Sequence, residues 1–355
     1  MKLVSIVGAR PQFIKAAVLS RALRRAHQEI LVHTGQHYDD GMSAVFFREL
    51  AIPEPDVNLG VGSGSHAQQT GEMLAGIEAV LLRERPDAVV VYGDTNSTVA
   101  GALAAAKLVL PVAHVEAGLR SFNRAMPEEV NRVVADQLAA CLLCPSATAV
   151  ENLRREGIVS GVHLVGDVMA DALLDARVRA VGTSRVLETL ALKSGRFLLV
   201  TAHRAENTDD LGRLAAIVAA LGALGGAGET VVFPAHPRTR KALASLGVEP
   251  LPRVRIIEPV GYLDMLALEQ AARMVLTDSG GVQKEAYLLG VPCVTLRDET
   301  EWIETLEGGW NVLAGSDTER ILAAAKRSRP AGAPPSVFGN GHAAERMVAA
   351  LENES

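Results

Sequence analysis

Four residues have types and positions that suit proton transfer. Asp94 closes the apolar run of VYGDTNST, and Glu116 closes that of HVEAGLRS. Glu128 follows Pro127 in MPEEVNR, where a helical pattern begins, and His203 ends the apolar run before TAHRAEN. Asp94 also reads as a cap for the next helix, and Glu128 as a first-turn partner of the helix dipole. Glu116 resists such a reading, because a carboxylate at the end of a buried strand needs partners; Arg120 and Arg132 are the candidates. Neighbouring carboxylates push one another's pKa values apart, which suits general acid–base work. A lone histidine at a strand end is as readily structural as catalytic.

A second pattern suits an anion. In Asp278-Ser279-Gly280-Gly281-Val282-Gln283-Lys284-Glu285 an apolar run ends at Thr277 and two glycines open a helix. Backbone N–H groups and the helix dipole at such a place hold phosphate; the alternative is a plain helix start capped by Ser279. Gly8-Ala9-Arg10-Pro11 with Lys15 is a second candidate cradle, since cations near a helix N-terminus oppose its dipole unless an anion is bound. Arg204, His236 and the segment His33 to His37 add polar groups at further strand ends. There is no G-x-G-x-x-G after the first apolar run and no G-x-x-x-x-G-K-[ST], so dinucleotide and Walker-type binding lose their signatures.

The elements that must position these groups alternate. LVSIV (3–7), EILVHT (29–34), DAVVVYG (87–93) and PVAHVEAG (111–118) read as strands separated by helix-period segments. The pattern restarts with RFLLVTAH (196–203), ETVVFPAH (229–236), RVRIIEP (253–259), RMVLTDSGG (273–281) and VPCVTL (291–296). Such β-α alternation implies an α/β fold with parallel sheets covered on both faces. The expectation is two Rossmann-like, doubly wound domains facing a central cleft, 1–166 and 167–338. A helix within 339–355 then packs back on the first domain. Ligands in such sheets bind beyond the carboxyl ends of the strands, where Asp94, Glu116, His203 and both glycine-containing segments fall.

Composition narrows the function. The 355 residues are 48% hydrophobic and 21% charged, as in a compact globular chain. The formal charge of −6 and the lack of a basic stripe argue against nucleic acid. No apolar run approaches the ~18 residues of a membrane span, and the run Leu3–Val7 is too short for a signal peptide. Cys141 and Cys144 form a C-x-x-C inside an apolar run, with no second pair to complete a zinc site; a reduced, cytoplasmic protein is expected.

Taken together, GARPQFIK, TGQH, YGDTNST, HVEAGLRS, MPEEVNR, TAHRAEN, TDSGGVQKEA and RDETEW resemble, in order and across the whole chain, the non-hydrolysing UDP-N-acetylglucosamine 2-epimerases. The resemblance implies a GT-B-like pair of domains, a UDP-sugar substrate, a homodimer, and no metal or nicotinamide cofactor. It implies removal of the sugar C2 proton with loss of UDP to a 2-acetamidoglycal, then re-addition. Asp94, Glu116, Glu128 and His203 fall on the catalytic positions, without revealing which carboxylate serves which face. Arg10, Lys15, Ser279, Gly280 and Gly281 fall on diphosphate positions, with Arg204 and His236 also substrate-binding. Glu285 falls at the ribose hydroxyls and Tyr262 beside the uracil. The chain departs from the common family pattern at Ala9, Gln12, Tyr38, Ala205 and Trp302. Tyr38 and Ala205 replace arginines of an activator site for a second substrate molecule, and Trp302 replaces a substrate-contacting arginine. These forms resemble the branch acting on UDP-2,3-diacetamido-2,3-dideoxyglucuronate, which is the alternative to UDP-N-acetylglucosamine as substrate. A GT-B glycosyltransferase is the rival of another class; carboxylates at 94, 116 and 128 exceed what sugar transfer needs.

Overall fold

Runs of Val, Leu and Ile become strands buried on both sides. The structure is a computed structural model and describes residues 1–35, 54–247 and 250–354, with backbone alone at Arg10, Pro11 and Val181. Gln36, His37 and Tyr38 of the sequence motifs lie outside the described residues, as does the Arg10 side chain. The first sheet contains β1 (Lys2–Val7), β2 (Gln28–His33), β3 (Val57–Asn58), β4 (Ala88–Tyr92), β5 (Val112–Val115), β6 (Cys141–Cys144) and β7 (Val162–Leu164). Its order is β3-β2-β1-β4-β5-β6-β7, parallel throughout. The second contains β8 (Phe197–Thr201), β9 (Thr230–Pro234), β10 (Val254–Ile257), β11 (Met274–Thr277), β12 (Cys293–Thr295) and β13 (Asn311–Leu313). Its order is β10-β9-β8-β11-β12-β13, again parallel.

Strand order reverses between β1 and β4, and between β8 and β11. This is the doubly wound pattern, and it bears out the expected α/β class with two Rossmann-like sheets. Side-chain alternation shows why helices cover both faces. Leu198 and Val200 of β8 join one core with Leu221 and Phe233, while Phe197 and Leu199 join another with Val232 and Leu268. Each fully buried side chain of this size contributes roughly 2 kcal/mol.

The chain forms two compact units, Met1–Leu174 with Ser336–Ser355, and Asp175–Pro335. The helix Val168–Thr183 runs through the first of these boundaries. After the second, the helix Ala343–Asn353 lies against the helix Arg10–Leu23 and against β6. Asp171 accepts the Ala344 N–H at 2.8 Å, and Phe338 accepts the Asp167 N–H at 2.8 Å, fastening the returning segment to the first unit.

Cys141 and Cys144 are free, buried thiols within β6. Burial pushes the Cys141 thiol up to about 12 and raises that of Cys144 as well. Their spacing of three puts them on opposite faces of the strand. Among the described residues, no group of three His, Cys, Asp or Glu side chains is placed to hold a metal. Among them also, no helix is long and apolar enough to cross a membrane.

Candidate active site

In the first unit the polar residues gather where β1, β4 and β5 end. Gly8 follows β1, and a Cβ there would lie 2.0 Å from the Ser97 hydroxyl and 2.3 Å from that of Thr34. Only glycine permits this approach to the start of the helix Asn96–Lys107. Gln12 then ties the loops together. Its Oε1 accepts the Gly8 and Ala9 N–H groups at 2.7 and 2.9 Å, and its Nε2 donates to the Tyr92 carbonyl at 2.6 Å. The same amide reaches the Thr95 and Thr98 hydroxyls at 3.0 Å each. Two backbone donors of the second expected cradle, those of Gly8 and Ala9, are thus engaged by Gln12.

Glu116 leaves β5 at φ 70°, a left-handed conformation that costs a non-glycine residue roughly 1 kcal/mol or more. Its buried carboxylate bonds the Lys15 ammonium. Lys15, expected at a diphosphate, is therefore the cation on Glu116. Arg120, expected to partner Glu116, instead binds Asp136 at 2.7 Å and Glu156 bidentately at 2.6 Å.

Asp94 is not a helix cap; Thr95 holds that position. The Asp94 carboxylate pairs with Arg132, and its carbonyl accepts from Asn131 at 3.0 Å. Both donors lie on the helix Pro127–Leu138. Glu128 is exposed on the first turn of that helix, three and four residues before Asn131 and Arg132, and so shares their face. Its neighbour Glu129 is buried and structural. It accepts the Ser121 and Phe122 N–H groups at 2.9 and 3.0 Å and Arg132 at 3.1 Å.

In the second unit the cluster lies where β8, β11 and β12 end. Asp278, fully buried after β11, accepts the backbone N–H groups of His203 and Arg204, both at 3.0 Å, and the Asn207 amide at 3.1 Å. The His203 imidazole, 48% exposed, has Nδ1 3.6 Å from the same carboxylate. An accessible ring beside a buried anion is suited to gain and lose a proton. Ser279 caps the helix Gly280–Leu288, accepting the Val282 N–H at 3.4 Å. A Cβ on Gly280 would lie 2.4 Å from the Glu301 carboxylate and 3.4 Å from Trp302 Nε1. Gly281 has open space on its Cβ side but for Ser279 Oγ at 3.8 Å.

Around this helix start, Glu301 binds Arg297 at 2.9 Å and meets Arg204 at 3.8 Å. Burial raises the Glu301 carboxyl, but Arg297 and Arg204 more than offset it and hold it below the usual value. The Lys284 ammonium lies 3.9 Å above the Trp302 ring. Tyr262 donates its hydroxyl to Glu285 at 3.1 Å. His236 is exposed and caps the helix Pro237–Ser245.

Known proteins share this fold. The family model for UDP-N-acetylglucosamine 2-epimerase matches residues 21–352. The chain belongs to the UDP-N-acetylglucosamine 2-epimerase family. A Methanococcus maripaludis UDP-N-acetylglucosamine 2-epimerase homolog is 52% identical, over 99% of this chain and all of the relative. The UDP-2,3-diacetamido-2,3-dideoxy-D-glucuronate 2-epimerase of Pseudomonas aeruginosa is 50% identical, over 98% of each. The crystal structure of Methanocaldococcus jannaschii UDP-GlcNAc 2-epimerase with UDP-GlcNAc and UDP superposes with a TM-score of 0.90 at 44% identity, over 99% of this chain and all of that one.

Within this family member, Gln12 was legible only as a departure from the family motif, and its bonding role follows from the fold. His114 and Asp136 were missed altogether. The available signal was HVEAGLRS itself, whose histidine occupies a strand position filled elsewhere by apolar side chains.

Proposed function

We propose that the chain epimerises UDP-N-acetylglucosamine and UDP-N-acetylmannosamine at C2, without hydrolysis. The observation that carries this reading is that a member of this family keeps Asp94 and Glu116 at neighbouring strand ends, with Glu128 on the helix whose Asn131 and Arg132 bind Asp94. A carboxylate accepts the C2 proton while the C1–O bond breaks toward UDP, so C1=C2 forms and no free carbanion is needed. In the return step UDP oxygen rebonds to C1, and an acid returns a proton to the opposite face of C2. The sum is inversion at one carbon with UDP conserved.

On this reading Glu116, paired with Lys15, and Asp94, paired with Arg132, are the groups that exchange the C2 proton. His203, set by Asp278, is placed to exchange a proton with the leaving group. The helix start at Ser279, Gly280 and Gly281 takes the diphosphate, with Arg10 and Arg204 as further cations, and donors there stabilise the departing charge. Glu285 receives the ribose hydroxyls, with Tyr262 beside the base and His236 near the nucleotide. The chain works as a homodimer in the cytoplasm; sedimentation tests the first and fractionation of the native cell the second.

Trp302, stacked under Lys284 where the family pattern has an arginine, favours one second reading, the 2,3-diacetamido uronate as substrate. Proton NMR of the protein with each nucleotide sugar in D2O, without added cofactor, tests both. Deuterium at C2 and the manno epimer from UDP-N-acetylglucosamine support the first reading. Turnover of the diacetamido uronate alone supports the second. Free N-acetylmannosamine would mark a hydrolysing enzyme, and no exchange with either sugar would overturn both readings.

A further inference from the structure

His114 of β5 is fully buried, and both its ring nitrogens face acceptors. Nδ1 lies 2.6 Å from Asp136 Oδ1, and Nε2 lies 2.7 Å from the Gly93 carbonyl oxygen. A carbonyl only accepts, so Nε2 must carry a proton. Asp136 decides the other nitrogen. Its second oxygen accepts the Gly118 N–H at 3.1 Å and Arg120 at 2.7 Å. Both contacts on that oxygen are donors and one is a guanidinium, so Asp136 is held as an anion by its partners. An ionised Asp136 accepts at Oδ1, so Nδ1 carries a proton as well. The surrounding charged groups are Asp136, Arg120 and Glu156, with the Cys144 thiol behind them. Two cations and two anions balance, which is what permits a buried imidazolium.

The position of this ring matters more than its charge alone. Gly93 immediately precedes Asp94, Gly118 follows Glu116 by two residues, and His114 precedes Glu116 by two. One carboxylate and one imidazolium therefore span both loops that carry the proton-transfer candidates. We propose that His114 is a buried imidazolium and a positioning residue, whose bridge from Asp136 to Gly93 fixes Asp94 and Glu116 for proton transfer at C2. The catalytic consequence rests on the reading of Asp94 and Glu116 given above; the protonation of His114 does not.

Two measurements test it. In protein labelled with 15N at its nine histidines, one ring should keep both nitrogens protonated at neutral pH. Asp136→Asn, which preserves the shape but removes the charge, should return that ring to a single proton. A His114 ring with one bare nitrogen at neutral pH overturns the proposal, whether or not the enzyme is active. In the epimerase assay, His114→Gln should lower kcat about 100-fold, the size of effect that small misplacements cause, and leave KM within about threefold. A folded variant with near-normal kcat, or with its loss confined to KM, overturns the positioning role while leaving the activity of the unaltered protein as the separate measure of the reading beneath it.

Discussion

Asp94→Asn and Glu116→Gln each keep the shape of a side chain and remove its ability to accept a proton. Turnover should fall at least about 1,000-fold, the range of general-base loss, with UDP binding retained. Steady-state kinetics and calorimetry with UDP check this, and near-normal turnover in either variant would release that residue from its role. The cradle has its own test. Alanine at Gly280 would place Cβ 2.4 Å from Glu301 Oε1, while Arg297 holds the other oxygen of that carboxylate at 2.9 Å. The carboxylate has little room to move, so UDP affinity should drop about tenfold, roughly 1.4 kcal/mol, in a protein that still folds. Unchanged affinity would take the diphosphate away from this helix start. The two proton-transfer candidates on β-strand ends were legible because a carboxylate there demands an explanation. Their partners were not. Lys15 and Glu116 are 101 positions apart in the chain, and only the pairing of β1 with β4, and of β4 with β5, brings them together.

At the scale of elements, the helix Tyr262–Ala271 carries a liability. Glu269 is buried, and among the described residues neither of its side-chain oxygens has a hydrogen-bond partner. Burial, reinforced by the charge of Glu285, raises its carboxyl well above the ordinary 4.5. The folded state thus holds a proton that the unfolded chain releases near 4.5. Stability should fall as pH rises from that value toward the folded one. Glu269→Gln removes the titration, so it should stabilise the protein at pH 8 by on the order of 1 kcal/mol and much less at pH 4. Urea unfolding at the two pH values checks this, and an equal effect at both would show that the carboxyl is not held neutral. Element recognition from sequence followed burial. β4 and β8 are unbroken apolar runs and were read directly. β3, β7 and β13 were missed, because they have two or three residues each and include Asn58, His163 and Asn311. Pairing to a neighbouring strand, not local propensity, makes them strands.

At the scale of the molecule, two compact units, each with its own buried core, predict two separable stabilities. Leu351 sits in the terminal helix that closes the first unit, and Leu221 in the main core of the second. Each is nearly inaccessible, at 3% and 1%. Truncation of either to alanine should cost about 3 kcal/mol. The two tryptophans, Trp302 and Trp310, both lie in the second unit, so their fluorescence follows that unit alone. Circular dichroism follows helices of both. Leu351→Ala should therefore lower the unfolding midpoint seen by dichroism and leave the fluorescence midpoint in place, whereas Leu221→Ala should lower the fluorescence midpoint. If both probes move together in both variants, the units unfold as one, and the stability of the carboxylate loops cannot be altered without altering that of the phosphate cradle.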